Sequence, residues 1–271
     1  MKKVNLILAT LIVLGLMTGC GGSGSGNKNT SENATNEIQT SDDAHGIAMT
    51  INAKEKVKFR LGGSNEAYID WDDGSFETVQ LTEVSNEYEH IYAKPGEYSV
   101  IIIGDEITTF WCHGLEVTYL NLDIPTINSL ECLSMNLTTL DLSNTPALKY
   151  FRCNNNNLTT LDLSKNTILE DVYCSRNQLT SLDVSKNTLL RSLYCEENQL
   201  TSLDVSKNTV LQDLDCESNQ LSADALNALF RSLHSNDSDG VKIISISHNP
   251  GTKTCDYSIA TKKGWGEDEG Y

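Results

Sequence analysis

Cysteines at 112, 132, 153, 174, 195 and 216 recur every 20 or 21 residues, each closing the phrase apolar, any two, apolar, any one, cysteine. A fixed period of that length marks a solenoid, because one such unit buries its apolar face only against the next. Aligned on the cysteine, the phrase runs Ile107-x-x-Phe110-x-Cys112, Ile127-x-x-Leu130-x-Cys132, Leu148-x-x-Phe151-x-Cys153, Leu169-x-x-Val172-x-Cys174, Leu190-x-x-Leu193-x-Cys195 and Leu211-x-x-Leu214-x-Cys216. A seventh unit, Val241-x-x-Ile244-x-Ile246, puts isoleucine in the slot. Alternation predicts a short strand in which the last two apolar positions point inward and their neighbours outward, with strands stacked in a parallel sheet at about 4.8 Å.

Three residues after the slot stands an asparagine (Asn156, Asn177, Asn198, Asn219, Asn249), and a leucine follows at 137, 158, 179, 200 and 221. An asparagine at a bend offers its amide to backbone groups that the turn leaves unpaired. With the linking phrase Leu-Thr-x-Leu-Asp-(Leu/Val)-Ser at 137–143, 158–164, 179–185 and 200–206, the repeat resembles the leucine-rich repeat, in a bacterial surface subtype of the Bacteroides kind. The resemblance covers about 145 residues. Asp141, Asp162, Asp183 and Asp204 read as solvated convex-side charges near Lys165, Lys186 and Lys207.

The thiol row admits three readings. Metal ligation needs ligands that converge on one ion, whereas a straight ladder diverges. A disulfide between in-register neighbours needs tighter Cβ spacing than parallel strands supply. Packing as free buried thiols remains, in keeping with the burial preference of cysteine. Of the eight cysteines, Cys20 has another use and Cys255 stands outside the ladder.

Before the repeats, short alternating runs are separated by turn clusters at Gly62-Gly63-Ser64-Asn65, Asp72-Asp73-Gly74-Ser75 and Lys94-Pro95-Gly96, the pattern of a small antiparallel β-domain. Tyr68-Ile69-Asp70-Trp71-Asp72-Asp73-Gly74-Ser75, with His90-Ile91-Tyr92 and Gly96 to Val100 downstream, resembles the polycystic-kidney-disease type of β-sandwich. Asp70, Asp72 and Asp73 read as hairpin chemistry in preference to a calcium site, and His90 as a strand residue beside a core tyrosine.

Met1-Lys2-Lys3, an apolar stretch from Val4 to Leu16, and Thr18-Gly19 ahead of Cys20 read as a secretory signal, too short for a membrane span of about 20 residues. The ending resembles a bacterial lipobox, which implies lipidation at Cys20. The Gly-, Ser- and Asn-rich sequence after it lacks the apolar residues to offset ordering, so it reads as a leash reaching roughly 25 to 30 Å. The expected organisation is a signal at 1–20, a disordered linker at 21–46, the β-domain at 47–104, repeats at 105–221 and a C-terminal repeat and cap at 222–271. In the cap, Ser222 starts a helix through Leu226, Leu229, Phe230 and Leu233, Asp256 caps a short helix, Trp265 closes the end, and Glu267-Asp268-Glu269 frays. The fold class is mainly β with short helices: a parallel solenoid of about seven units preceded by a small antiparallel sandwich-like domain.

The formal charge of −17, from 20 basic and 37 acidic residues, repels nucleic acid, and no basic cluster relieves it. No nucleophile elbow, phosphate loop, zinc-protease helix or dinucleotide fingerprint occurs, so the chain reads as a binding protein without catalytic residues, cofactor or metal. The candidate face is the outward strand stripe. It holds the aromatic and basic residues Trp111, Tyr150, Arg152, Tyr173 and Tyr194, then the acids Glu196, Asp213, Asp215 and Glu217. The expected partner is a protein ligand or, alternatively, an extracellular glycan stacked on the aromatic row; a purely structural role is the third reading. The expected location is the bacterial cell envelope, lipid-anchored on the outer membrane surface.

Overall fold

The computed structural model describes residues 45–54, 56–235 and 240–267. The signal segment, Cys20 and the leash up to residue 44 lie outside the described residues, as do 268–271 of the tail.

Six strands open the described chain: β1 (Gly46–Ala53), β2 (Lys56–Gly63), β3 (Glu66–Asp70), β4 (Phe76–Gln80), β5 (Asn86–Ile91) and β6 (Gly96–Ile103). The repeats supply β7 (Ile107–His113), β9 (Ser129–Leu133), β10 (Tyr150–Arg152), β11 (Asp171–Tyr173), β12 (Ser192–Tyr194), β13 (Asp213–Asp215) and β14 (Lys242–Ser245). Between β7 and β9 lies β8 (Val117–Asp123), and β15 (Trp265–Glu267) ends the sheet. Two helices, α1 (Ala223–Ser232) and α2 (Ser258–Thr261), complete the cap.

One sheet has the order β4-β3-β6-β1-β8; the other runs β15-β14-β13-β12-β11-β10-β9-β7-β2-β5. From β7 to β15 that second sheet is parallel, with each repeat strand in register with the next. The antiparallel pair of β2 with β7 sets Phe59 beside Cys112 and carries the solenoid sheet on into the N-terminal sandwich. The two parts are therefore joined by strand pairing: the first repeat strand is also a strand of the sandwich.

Each repeat is filled by the residues that periodicity sends inward. Leu190, Leu193, Cys195 and Leu200 are 0% exposed, and each such leucine contributes about 1.5–3 kcal/mol by leaving water. Cys112, Cys132, Cys153, Cys174, Cys195 and Cys216 are free and buried. Burial pushes the Cys112 and Cys174 thiols up to about 12, so the ladder consists of neutral packing groups and not of thiolates. The thiols of Cys195 and Cys216 donate to the carbonyls of Asp215 and Ser245 in the following repeat, at 3.3 and 3.4 Å.

Asparagine ladders hold the bends. Asn198 Nδ2 donates to the carbonyls of Cys174 and Cys195, and its Oδ1 accepts from Leu179 N–H at 3.0 Å. A second ladder, Asn166, Asn187 and Asn208, is 0% exposed, and each donates to carbonyls of the preceding repeat, as Asn187 does to Leu163 and Asn166. Asp141, Asp162, Asp183 and Asp204 lie at exposed or partly exposed turns, where Oδ1 of each accepts the N–H of the serine two residues on.

In the sandwich, Trp71 stacks on Phe59 at 5.3 Å and on His90 at 4.9 Å, joining the two sheets through the core. The aspartate turn is tied by its own carboxylates. Asp70 and Asp73 accept from the backbone of Asp72 and Ser75, and Asp72 reaches Ser99 N–H at 2.7 Å. Asp72 takes φ of 65° and Gly74 of 90°, the left-handed values that such a reversal needs.

At the far end Ser222 caps α1 by accepting from Ala225 N–H, as its sequence position predicts. The second cap differs by one residue from expectation. Tyr257 is the N-cap of α2 and makes no side-chain cap bond, while Asp256 accepts from Ser258 N–H at 3.2 Å. Trp265 is 1% exposed and donates through Nε1 to His234 O at 3.0 Å. Glu267 is the last residue of β15, so strand pairing runs into the segment read as frayed.

Candidate interaction face

Parallel register places Trp111, Glu131, Arg152, Tyr173, Tyr194, Asp215 and Ser245 in one row across the sheet. A second row runs Thr109, Ser129, Tyr150, Asp171, Ser192, Asp213 and Ile243. Every strand residue of the predicted stripe thus falls on one face. Thr109 and Ser245 are exceptions to outward exposure and are buried, since small side chains sink beneath longer neighbours.

The row forms a stacked column. Tyr173 and Tyr194 have ring centroids 4.7 Å apart and planes 8° from parallel. Arg152 lies 4.5 Å from the Tyr173 centroid on the opposite neighbouring strand, a cation–π contact worth about 0.5–1 kcal/mol at an open site. Glu131 accepts from Arg152 at 3.3 Å and pairs with His113 Nε2 at 2.8 Å. Trp111 donates to Ser129 Oγ at 3.0 Å, and Arg60 of β2 sits 5.7 Å from its ring centroid. Tyr150 is the aromatic of this face most open to solvent, at 48% exposed. A shallow cleft of about 430 Å³ runs from Trp111 past Tyr150 and Arg152 to Tyr173.

The acids gather at the other end of the row. Tyr194 Oη donates to Asp213, and burial of the phenol together with that carboxylate raises its pKa. Asp215 is pushed up to about 7, first by burial and then by the charges of Glu196, Glu217 and Asp213, against a bond from Glu217 N–H that lowers it. Oε2 of Glu196 is buried with no hydrogen-bond partner among the described residues.

A folded-state pKa above the unfolded value of about 3.9 means that the native state holds the proton more tightly between pH 4 and 7. The penalty is therefore absent below about pH 4, grows with pH and is complete above about pH 7. Asp215→Asn, which keeps an oxygen for Glu217 N–H, is expected to stabilise the chain by about 1 kcal/mol at pH 8 after allowance for solvent screening. At pH 4 it should change nothing. Urea unfolding at the two pH values checks this, and an equal effect at both would refute the charge explanation.

Sequence reading found this face but missed a second concavity, of about 910 Å³, between β8 and the linking phrases of the next repeats. The available signal was Val117-Thr118-Tyr119-Leu120-Asn121-Leu122, a copy of the linking phrase.

No protein-family model matches the chain, and no curated protein does. Solved structures do resemble it. A functional domain of InlJ from Listeria monocytogenes, described as including a cysteine ladder, is 26% identical, with a TM-score of 0.31 over 58% of this chain and 47% of that one. A leucine-rich-repeat protein of Leptospira interrogans is 19% identical, with a TM-score of 0.44 over 54% of this chain and 38% of its own. The chain thus spans less than half the length of either structure. Its own geometry, seven in-register strands with an asparagine ladder at the bends, defines the architecture. This is a parallel β-solenoid, consistent with a leucine-rich-repeat fold. Such a scaffold presents an extended, rigid face for recognition.

Proposed function

We propose that this chain is a secreted interaction protein, tethered by lipid at Cys20 to the bacterial cell surface, that binds a protein partner through its concave strand face. The observation that carries the reading is the column of Arg152, Tyr173 and Tyr194 set between Glu131 and the acids around Asp215. Rigid tyrosines supply contact area at small entropy cost and concentrate at hot spots. The crowded carboxylates favour a partner with positive charge beside an apolar patch. The reading of residues 47–104 as a polycystic-kidney-disease-like domain belongs to the same proposal, supported by Trp71 stacked between Phe59 and His90.

Column geometry bears on the glycan alternative. Sugars stack on ring faces, and those of Tyr173 face Arg152 on one side and Tyr194 on the other. The column therefore offers ring edges and hydroxyls, which suits a protein surface better than a pyranose.

Residues 21–271 as a soluble chain, screened against panels of extracellular matrix proteins and polysaccharides, test the proposal. A protein ligand is expected, with affinity falling at least tenfold between low salt and about 1 M, where the Debye length is about 3 Å. Binding confined to neutral polysaccharides and insensitive to salt would overturn it.

A further inference from the structure

The larger concavity shares no residue with the strand stripes. One wall is β8, which pairs with β1 and with no other strand, so it is an edge of its sheet. Val117 N–H at its start is taken by Met135 O at 3.3 Å, and the register of β8 with β1 shifts between Val117 and Tyr119; beyond that bulge the strand carries neither lysine nor proline, two of the guards against edge pairing. Tyr119 on this wall is 41% exposed. The floor is built from successive linking phrases, with Asp141, Asp162 and Asp183 in a ladder and Glu116 at the β8 end. Among the described residues, no lysine or arginine lines the concavity. Each ladder aspartate commits Oδ1 to the serine amide of its turn, and those bonds keep the Asp162 and Asp183 carboxyls below the usual range. They therefore stay ionised, with the hydroxyls of Ser164 and Ser185 and the ammonium groups of Lys165 and Lys186 as further neighbours.

We propose that this groove takes an extended basic segment of a partner protein, which adds as a strand to the open edge of β8 and sets its lysine or arginine side chains against Asp141, Asp162 and Asp183. Strand addition draws affinity from main-chain bonds and specificity from alternate side chains. Charge complementarity selects the occupant: the carboxylates of the groove call for a basic segment.

The probe is a fluorescent peptide of about eight residues, the length of a strand, alternating lysine with threonine or valine. Its companion is N-methylated on alternate amides, which removes strand pairing and keeps the charge. Asp162→Asn/Asp183→Asn retains the turn-forming oxygens and removes two charges. The peptide is expected to bind the soluble chain, to lose about tenfold in affinity to that variant, and to lose at least as much when N-methylated. Tyr173→Ala/Tyr194→Ala should bind it as the parent does, which separates this groove from the concave face. Equal binding of the N-methylated peptide, equal binding by the asparagine variant, or no binding at all would each overturn the proposal.

Discussion

Asn198→Ala is expected to destabilise the chain by about 3 kcal/mol, more than any other single polar substitution proposed for it. The side chain is 6% exposed and makes four bonds to backbone inside the solenoid: three donated, to Cys174 O, Cys195 O and, longest at 3.3 Å, Glu196 O, and one accepted, from Leu179 N–H. These sites are not equivalent. Cys174 O also accepts from Asn177, and Cys195 O from Asn219, so both carbonyls keep a partner. Leu179 N–H has Oδ1 of Asn198 as its recorded acceptor and would be buried unpaired, at about 1–3 kcal/mol, with roughly 1 kcal/mol more for each donated bond lost and for the void. Gln199→Ala, at an exposed position next door, should change stability by about 0.5 kcal/mol or less. Urea unfolding followed by the fluorescence of Trp71, Trp111 and Trp265 compares the two. A loss under about 1 kcal/mol for Asn198→Ala would mean that water replaces the amide and that the ladder is not what aligns the repeats.

That alignment is what the proposed function rests on. Leu179 N–H and Asn198 belong to successive repeats, so the bond sets the rotation of one unit on the next, and Tyr173 and Tyr194 lie on those same two units. Parallel plane geometry across 4.7 Å survives only while the units keep register. Stability in a solenoid is close to a sum of unit and interface terms, so a lesion at one interface should loosen the column locally before the whole chain melts.

The strand rows were legible in the sequence because their period is rigid. Once Cys112 to Cys216 are aligned, every outward residue follows from alternation. What alternation leaves open is how neighbours in a row meet: Arg152 lies on Tyr173 while also reaching Glu131, a choice of side-chain rotamer that spacing does not encode. The raised pKa of Asp215 is hidden for the same reason, since it depends on burial and on distances to Glu196 and Glu217. The second asparagine ladder has the same period of 21 but sits in a segment without regular secondary structure, where there is no hydrophobic alternation to draw notice. Strand β8 was illegible for a deeper reason. Val117 to Leu122 copies a phrase that forms no strand in later repeats, and it becomes one because β1, some 70 residues earlier, offers an edge to pair with. Tertiary pairing overrides a local pattern there, and with it arises the second groove.

Tyr173→Ala/Tyr194→Ala is expected to weaken binding of a partner found by the panel screen at least 100-fold, about 2.7 kcal/mol, while costing only about 1–2 kcal/mol of stability. The asymmetry follows from where the rings lie. Both are partly exposed, so neither fills the interior, which Val172, Leu193 and the cysteines occupy. Their removal sacrifices the stack, the Arg152 contact and the bond to Asp213, all of them on the surface. A partner loses more, because two adjacent hot-spot rings go at once and the remaining Arg152 and Asp213 are freed to move. The two substitutions should not be additive, since each ring fixes the other, and the single variants measured beside the double form the cycle that shows it. A double variant that melts close to the parent and binds equally well would remove the concave column from the function and leave the edge of β8 as the surface to pursue.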